Sequence, residues 1–454
     1  MLLLGGTTAI AQVSSDTEAQ EPGTGSLEKP SASGRVCFPP PLPYNFQKNV
    51  TGDWHGARNK LSSLGIDITG DYKMEYVGNP VGGDSQGSTY VHNIQLNGDF
   101  DLEKLVELPR SVLHASFSQR SGDSLSKHDI GNAFSVQQLY GGGQTYRLVE
   151  MQMCHSLFEN QVNLTYGRLA ATDDFLTSPR YCQLSLYCQF VNNAFCGSPV
   201  TPFFNLPNGI TAYPLATWGA RGLYKFKPIE AYWMVGIYDG DPTQEGRNDH
   251  GVNFSFGDNG ILVLTEVGYT PEQGLFDLPG HYKLGGYYHS GDFDKVAKDG
   301  NGNNRFTTAL AGARFSGNNG YYVLLNQMFY REKPEEWQGL YGFFVFVLAR
   351  DQQENTFPYF YSAGLVYQGL LDFRPEDKTA IGITTGWFSD KLGDAQHDAG
   401  LARQTAETVF EINHQVQITR AIYVRPDLQY VYRPNGRRDI DNALVIGFEA
   451  GITF

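Results

Sequence analysis

The sequence lacks any hydrophobic run long enough to form a membrane-spanning helix. No stretch of its 454 residues approaches the roughly 18 apolar residues that such a helix needs. Charged residues are also scarce, at 18% of the chain, against roughly 25% in soluble domains. The first shortage gives no support to a helical membrane anchor, and the second is unusual for a soluble enzyme.

Signatures of chemistry are missing as well. The segments NPVGGDSQGS (79–88) and YGGGQT (140–145) are rich in glycine but lack the Lys-Ser/Thr ending of a phosphate loop. The Asp173-Asp174 pair is too isolated to indicate acid–base catalysis or a metal site. The five cysteines have no histidine partners at zinc-ligand spacing. We therefore predict no catalytic residue, no cofactor and no metal.

Basic residues are outnumbered, with 34 Lys and Arg against 48 Asp and Glu, for a formal net charge of −14. This balance argues against nucleic acid as a partner. Two interpretations of the acidity remain. It either solubilises the surface, or part of it lines a pore and its loops.

Aromatic residues and glycine are what the chain has in abundance. Aromatics make up 13% of the residues, with 27 Tyr and 29 Phe, and there are 52 Gly. The mean hydropathy is −0.34, so the chain as a whole is not strongly hydrophobic. This mixture suits a β-barrel that has one face toward lipid and one face toward water.

The N-terminus, MLLLGGTTAIAQ, is predicted to be the remainder of a signal peptide over residues 1–11. Ala9-Ile10-Ala11 fits an A-x-A cleavage site, which would make Gln12 the first mature residue, but the basic region is missing. We interpret the assigned start as too far downstream; a chance apolar start is the alternative. Residues 12–49 are polar and then rich in proline, which predicts a disordered segment.

A short helix is predicted within residues 50–65. Trp54, Ala57, Leu61 and Leu64 share one helical face, and Gly65 is a plausible stop. This helix could be a periplasmic plug or clamp at a barrel mouth, or only a linker to the first strand.

From Ile66 onward a two-residue period replaces the helical one. The segment TVFEINHQVQI (408–418) shows it, since Phe410 and Ile412 alternate with Glu411 and Asn413. About 18 such segments follow one another to the final stretch, DNALVIGFEAGITF, where the alternation continues to Phe454.

A β-sandwich and a β-barrel both produce this alternation. Three features favour the barrel: strands of about ten residues, aromatic residues near their ends, and alternation through the last residue. Short turns also alternate with long connections at 121–143, 169–214 and 389–406. We predict an all-β fold in which residues 66–454 form a transmembrane antiparallel β-barrel.

Many ordered stretches resemble the carbohydrate-selective porins of the OprB family. Together they span about 50–454, and they include YVGNPVGG (76–83), LHASFSQRSGDSLS (113–126), FSVQQLYGGGQTYRLVEM (134–151), YGRLAATDDFLTSP (166–179), YPLATWGARGLYKFKP (213–228) and YVRPDLQYVYRPNG (423–436). Two departures are visible. His55 stands where the family usually has a glycine, and an insertion in YCQLSLYCQF adds Cys182.

The resemblance implies a porin of the bacterial outer membrane that passes sugars, with glucose-like monosaccharides first. It implies 16 strands; our count of 18 is the alternative. The barrel would work as a monomer or as a homotrimer within outer-membrane lipid. The last residue, Phe454, resembles the carboxy-terminal signal that the outer-membrane assembly machinery reads.

Candidate pore-lining residues follow from the alternation. Arg120, Arg221 and Arg425 point inward, because a charge facing lipid would cost roughly 2–4 kcal/mol at the midplane. Either these side chains contact sugar, or they only pair with carboxylates inside the barrel. The inward carboxylates are Glu150, Glu411, Asp427 and Glu449. Arg147 and Arg168 fall on the apolar side of the alternation. A strand end or a bulge would explain that, and for Arg168 we favour a bulge or an inward loop.

The cysteine spacing suggests a disulfide within a loop. Cys188 and Cys196 lie eight residues apart in a long loop, and an exported chain would oxidise them. Cys182 could compete for either partner. Cys37 lies in the N-terminal segment and Cys154 on a strand.

Two other function classes remain open from sequence. One is an outer-membrane receptor or adhesin without a channel. The other is an exported β-rich enzyme that processes sugars, which would need a paired carboxylate site that we do not find.

Overall fold

The computed structural model describes residues 48–177, 188–196, 200–206, 210–242, 250–252, 256, 259–333 and 338–454. The predicted signal peptide, the proline-rich segment up to residue 47, Cys37 and Cys182 lie outside these residues. Most of the described chain is β-strand, with short helices in the connections.

Sixteen strands follow one another along the described chain. They are β1 Ile66–Gly83, β2 Ser88–Asp101, β3 Ser111–Gly122, β4 Tyr146–Leu157, β5 Val162–Leu169, β6 Thr217–Phe226, β7 Ala231–Asp239, β8 Ile261–Tyr269, β9 Gly280–Asp299, β10 Gly312–Arg331, β11 Gly339–Leu348, β12 Tyr359–Gln368, β13 Lys378–Trp387, β14 Ala406–Thr419, β15 Ile422–Tyr432 and β16 Asp441–Thr453.

Five short α-helices accompany them: α1 Ala57–Ser63, α2 Leu102–Val106, α3 Thr201–Asn205, α4 Arg305–Thr308 and α5 Asp390–Asp398. Single helical turns of other types occupy Ser126–Ile130, Ala171–Asp173, Lys227–Ile229, Leu275–Asp277 and Pro434–Gly436. Among the described residues, no helix is long and apolar enough to cross a membrane.

The strands form a closed antiparallel barrel. Each strand pairs with its neighbour in sequence, and β1 pairs with β16 to close the ring. In that closing pair, Tyr72 lies opposite Ile452 and Glu75 lies opposite Glu449. The 16-strand expectation is confirmed, and the alternative of 18 strands is wrong.

The predicted alternation sets which side chains face outward. On β16, Ile446 is 51% exposed on the outer face while Glu449 is 1% exposed inside the barrel. An apolar outer face is what a membrane-spanning barrel needs, since lipid hydrocarbon cannot satisfy polar groups.

The long connections gather at one end of the barrel, as predicted. They include 123–145, 170–216, 240–260 and 388–405, whereas the opposite end has short turns such as 420–421. In outer-membrane barrels the short turns face the periplasm and the long loops face outside.

Two of the long connections fold into the barrel. We call residues 123–145 the first inner loop, and we call residues 170–177, 188–196, 200–206 and 210–216 the second inner loop. Phe134 of the first loop and Phe190 of the second are fully buried. The ring of Phe134 lies 5.9 Å from that of Phe360 on β12, and the ring of Phe190 lies 5.5 Å from that of Phe343 on β11. Part of the barrel interior is therefore a dry core.

The N-terminal helix is shorter than expected. Trp54 and His55 have positive φ angles of 53° and 57°, so the helix begins at Ala57 rather than at Trp54. The helix and the residues before it contact the closing pair of strands, and whether the helix is a plug or clamp or only a linker stays a prediction. Arg58 donates from Nη2 to the backbone oxygen of Phe454 (3.3 Å), and the amide of Val50 donates to Thr453 (3.0 Å).

Candidate pore constriction

The inner wall of the barrel is divided into a polar and an apolar half. From β7 to β13 the buried inward side chains are mainly apolar: Met234, Tyr238, Leu262, Leu264, Tyr287, Tyr322, Leu324, Phe343, Val345, Phe360, Val366 and Ala380. From β14 through β16 and on from β1 to β6 they are mainly polar or charged: Lys73, Glu75, Asn93, Arg120, Glu150, Arg221, Glu411, Arg425, Asp427 and Glu449. Sequence reasoning expected polar side chains around the entire lumen. The inner loops pack on the apolar half through Phe134 and Phe190, and they also contact the polar half, where Glu75 and Glu411 accept hydrogen bonds from loop amides.

All eight candidate pore-lining residues are buried inside the barrel: Arg120, Glu150, Arg168, Arg221, Glu411, Arg425, Asp427 and Glu449. The structure brings them to the polar half of the wall but does not gather them at one point. Whether any of them contacts sugar stays a prediction.

Arg168 is buried inside the barrel, but the strand that carries it has no bulge at this position. The pairing of β5 is continuous at Arg168, which lies opposite Met151 and Trp218. Gly167 before it has a φ of 131°, a conformation that glycine adopts freely, and this re-aims the next side chain inward. Arg168 then donates from Nε to the carbonyl of Val149, at 3.1 Å.

The bulge itself lies on the adjoining strand. In the β3–β4 pairing, Ser116 lies opposite Glu150 and Phe117 lies opposite Leu148, which leaves Val149 without a partner in the register. One extra residue reverses the faces on one side of a bulge. Arg147 is therefore buried inside the barrel together with Glu150, although the two are three residues apart.

Arg120 lies beside an open cleft. Its Nε donates to Oδ1 of Asn93 (3.1 Å) and its Nη1 to the carbonyl of Gly141 (3.3 Å). The guanidinium carbon lies 4.8 Å from the ring centre of Tyr213, and the Tyr213 hydroxyl donates to the same Asn93 oxygen (3.1 Å). Burial raises the pKa of the Tyr213 phenol above its ordinary value, so the hydroxyl remains a donor at physiological pH.

The cleft has a volume of about 700 Å³. Its lining combines donors, acceptors and an aromatic face, and includes Arg120, Lys127, Tyr140, Gly142 and Gln144. Guanidinium and ammonium groups can donate to sugar hydroxyls, and an aromatic ring can pack on the apolar face of a sugar ring.

Arg425 is held by its neighbours. Its Nη1 donates to Glu449 (2.9 Å) and its Nη2 to Oε1 of Gln415 (2.6 Å). The hydroxyl of Tyr423 also donates to Glu449, at 2.6 Å. This arrangement agrees with the alternative that the inward arginines pair with carboxylates inside the barrel.

Arg221 is paired inside the barrel too. Its Nη2 donates to the hydroxyl of Thr165 (2.7 Å), and its Nε lies 3.3 Å from a carboxylate oxygen of Asp174. Asp174 belongs to the second inner loop, so this ion pair ties that loop to β6.

Several wall carboxylates accept hydrogen bonds from the inner loops. Glu411 accepts from the amides of Val191 (2.7 Å) and Asn192 (3.0 Å). Sequence reasoning missed Glu407, which accepts from two amides of the first inner loop. The alternation does place Glu407 on the same face as Glu411, so that signal could have found it.

Glu266 on β8 is a second missed residue. It accepts from the hydroxyls of Tyr232 (2.7 Å) and Tyr322 (2.8 Å) and from the amide of Leu176 (3.1 Å), and Nζ of Lys283 lies 3.0 Å away. These four partners satisfy the hydrogen-bonding capacity of a polar group that is buried in the apolar half of the wall.

Cys188 and Cys196 form a disulfide within the second inner loop, with an S–S distance of 2.07 Å. This is the pair proposed from the sequence. Cys154 on β4 is disulfide-bonded as well. Across the part of the chain that the structure describes, no group of three or more His, Cys, Asp or Glu side chains could hold a metal ion.

The chain is similar to known proteins over most of its length. Residues 85–454 match the model of the carbohydrate-selective porin family OprB. Porin B of Pseudomonas aeruginosa is 30% identical over 433 residues, which cover 90% of this chain and 91% of the relative.

Solved structures agree with this match. The high-pH structure of Pseudomonas putida OprB has a TM-score of 0.83 at 29% identity, covering 90% of this chain and 99% of that one. Salmonella typhi OmpF has a TM-score of 0.50 at 13% identity, covering 86% of this chain and 99% of that one, which supports the barrel fold alone.

Proposed function

This chain belongs to the OprB family of carbohydrate-selective porins, and from that premise we propose that glucose-like monosaccharides diffuse through the polar half of its lumen. The family places the protein in the outer membrane of Gram-negative bacteria as a carbohydrate porin. Its family and fold are those of a channel rather than of an enzyme. The receptor and enzyme alternatives have no comparable support.

The observation that carries the proposal is the position of Arg120 beside the 700 Å³ cleft. A neutral sugar must keep its hydroxyls hydrogen-bonded while it crosses a narrow passage. Arg120 and the carbonyl groups around Gly141 offer donors and acceptors together, and the volume falls in the range of small-molecule sites. Because the contacts are few, the sugar can also leave, as transport requires.

The test is planar-bilayer conductance with the purified barrel. We expect a water-filled channel whose ion current falls as glucose is added. A channel that other solutes block and glucose does not would contradict the substrate class, and a protein that forms no channel would contradict the porin proposal as well. Heat-modifiable migration on a gel serves as a check that the barrel is folded.

We further propose that the outer-membrane assembly machinery recognises Phe454. In the folded barrel this residue pairs with Gly70 through two backbone hydrogen bonds, of 2.8 and 2.9 Å. A Cβ atom at Gly70 would lie 2.6 Å from the Phe454 ring. Glycine at position 70 therefore makes room for the aromatic side chain when the barrel closes.

A further inference from the structure

Two glutamates on one strand hold the tips of both inner loops. Glu407 accepts from the amides of Ala133 (2.7 Å) and Phe134 (2.8 Å) in the first inner loop. Glu411 accepts from the amides of Val191 (2.7 Å) and Asn192 (3.0 Å) in the second. Each carboxylate thus binds two consecutive backbone amides.

The strand geometry explains why each glutamate serves a different loop. Alternate residues of a strand point to the same face, and residues four apart are about 13 Å apart along it. Glu407 and Glu411 therefore face the lumen at two different depths. Two consecutive amides that converge on one carboxyl group fix the position of the loop at that group through two hydrogen bonds.

The two loop tips also bind each other. The amide of Gln138 donates to the carbonyl of Val191 (2.8 Å), and the amide of Asn193 donates to the carbonyl of Ser135 (2.8 Å). Within the second loop, Cys188 and Cys196 close a short ring around this contact. The two tips therefore form a single unit, which we call the loop plug (residues 133–138 and 188–196).

A glutamine on the next strand bridges both halves of the loop plug. Gln429 on β15 accepts from Nδ2 of Asn192 (3.0 Å) and donates from Nε2 to the carbonyl of Val136 (3.0 Å). The loop plug is thus fixed to β14 and β15 by side chains that the wall supplies. Glu407, Glu411 and Gln429 are each buried.

The first inner loop then continues from the loop plug directly to the cleft. Gln138 donates from Nε2 to Glu449 (3.2 Å), and the amide of Leu139 donates to Glu75 at 3.3 Å. Two residues later the carbonyl of Gly141 accepts from Arg120 (3.3 Å). The place where the plug sits on the wall therefore determines how close this stretch lies to Arg120.

We propose that Glu407 and Glu411 are positioning residues that set the bore of the sugar path, because each accepts hydrogen bonds from two consecutive loop amides and so fixes the loop plug against β14. Neither glutamate contacts the sugar in this proposal. It rests on the proposed function, since the path is that of the sugar through the polar half of the lumen.

The test compares Glu407→Ala, Glu411→Ala and the double variant with the unmodified barrel in planar bilayers. Losing a pair of these hydrogen bonds should shift the loop equilibrium about tenfold or more. We expect larger and noisier ion currents together with a glucose half-block concentration raised about tenfold in the double variant. Glu411→Gln keeps one acceptor oxygen, so it should restore part of the block.

Glu332→Ala is the matched control. Glu332 accepts from the hydroxyl of Tyr367 (3.0 Å) at the short-turn end of the barrel, away from the loop plug. We expect its ion current and glucose block to equal those of the unmodified barrel. Unchanged current and block in a folded double variant would overturn the proposal.

Amide hydrogen exchange keeps the proposal testable if the variants do not fold. In the unmodified barrel, peptides that contain Ala133, Phe134, Val191 and Asn192 should exchange slowly, because their amides are bound to carboxylates. Fast exchange at these amides would contradict the proposal that Glu407 and Glu411 hold the loop plug. The ion current separates this proposal from the proposed function. If glucose blocks neither the unmodified barrel nor the double variant, but the double variant conducts a larger ion current, the two glutamates do position the loop plug and the proposed substrate is wrong.

Discussion

Glu75 on the first strand lies directly opposite Glu449 on the last strand in the register that closes the barrel. Directly opposed like charges destabilise a strand pair. Arg425 donates to Glu449 at 2.9 Å and is 3% exposed, so a buried cation offsets the repulsion at the seam.

Replacing this cation should destabilise the closed barrel. Removing one member of a buried ion pair typically costs about 3–5 kcal/mol, so Arg425→Ala should lower the temperature at which the barrel loses heat-resistant migration. Arg420→Ala is the control. Its pair with Glu376 is 38% and 40% exposed, and such a pair contributes about 0–1 kcal/mol. Equal shifts in both variants would show that Arg425 has no special role at the seam.

Arg120→Ala should weaken sugar block more than ion conduction. The guanidinium offers charged donors to sugar hydroxyls, so we expect the glucose half-block concentration to rise about tenfold or more, while the ion current changes little. Arg314→Ala is the control, because Arg314 is 70% exposed and pairs with Asp292. Equal changes in block and current would remove Arg120 as a sugar contact.

Gly70→Val should impair closure of the barrel. Its Cβ would lie 2.6 Å from Cε2 of Phe454, a distance that forces the ring to move. We expect less folded barrel when the purified protein is refolded in detergent, where the assembly machinery is absent, and under those conditions the second change Phe454→Ala should restore closure in part. Gly300→Ala, where a Cβ would meet nothing within 4 Å, is the control. A normal surface level for Phe454→Ala alone would argue against its role as an assembly signal.

The disulfide between Cys188 and Cys196 should stabilise the loop plug without changing the stability of the barrel. A bridge over eight residues contributes about 2 kcal/mol by limiting the open states of the loop. In the double variant Cys188→Ser and Cys196→Ser, we expect noisier current and weaker glucose block, with an unchanged melting temperature of the barrel. A fall in melting temperature without a change in block would place the stabilising effect in the barrel instead.

The barrel could be predicted because lipid imposes a strict two-residue period. Residues such as Ile446 and Glu449 occupy the faces that this period assigned to them. The inward placement of Arg120, Arg221 and Arg425 followed from the same rule. The rule fails where the chain inserts a residue, as at Val149, or where a glycine such as Gly167 turns the backbone.

The contents of the lumen could not be predicted in the same way. The contact between Glu411 and Val191 joins residues that are 220 positions apart, and no local period records such a contact. Phe190 and Phe343 likewise meet only after the second inner loop has folded inward. Sequence therefore identified which residues face inward but not which of them are covered by loops.

β11 illustrates what the divided wall means for the channel. Phe343 and Val345 are buried inside the barrel, and Phe344 is 40% exposed on the outer face, so this strand is apolar on both sides. Without its inner loops the barrel would expose this apolar sector to water, at a cost of roughly 25 cal/mol for each Å² of apolar surface. The loops that narrow the lumen thus also stabilise the wall that they cover.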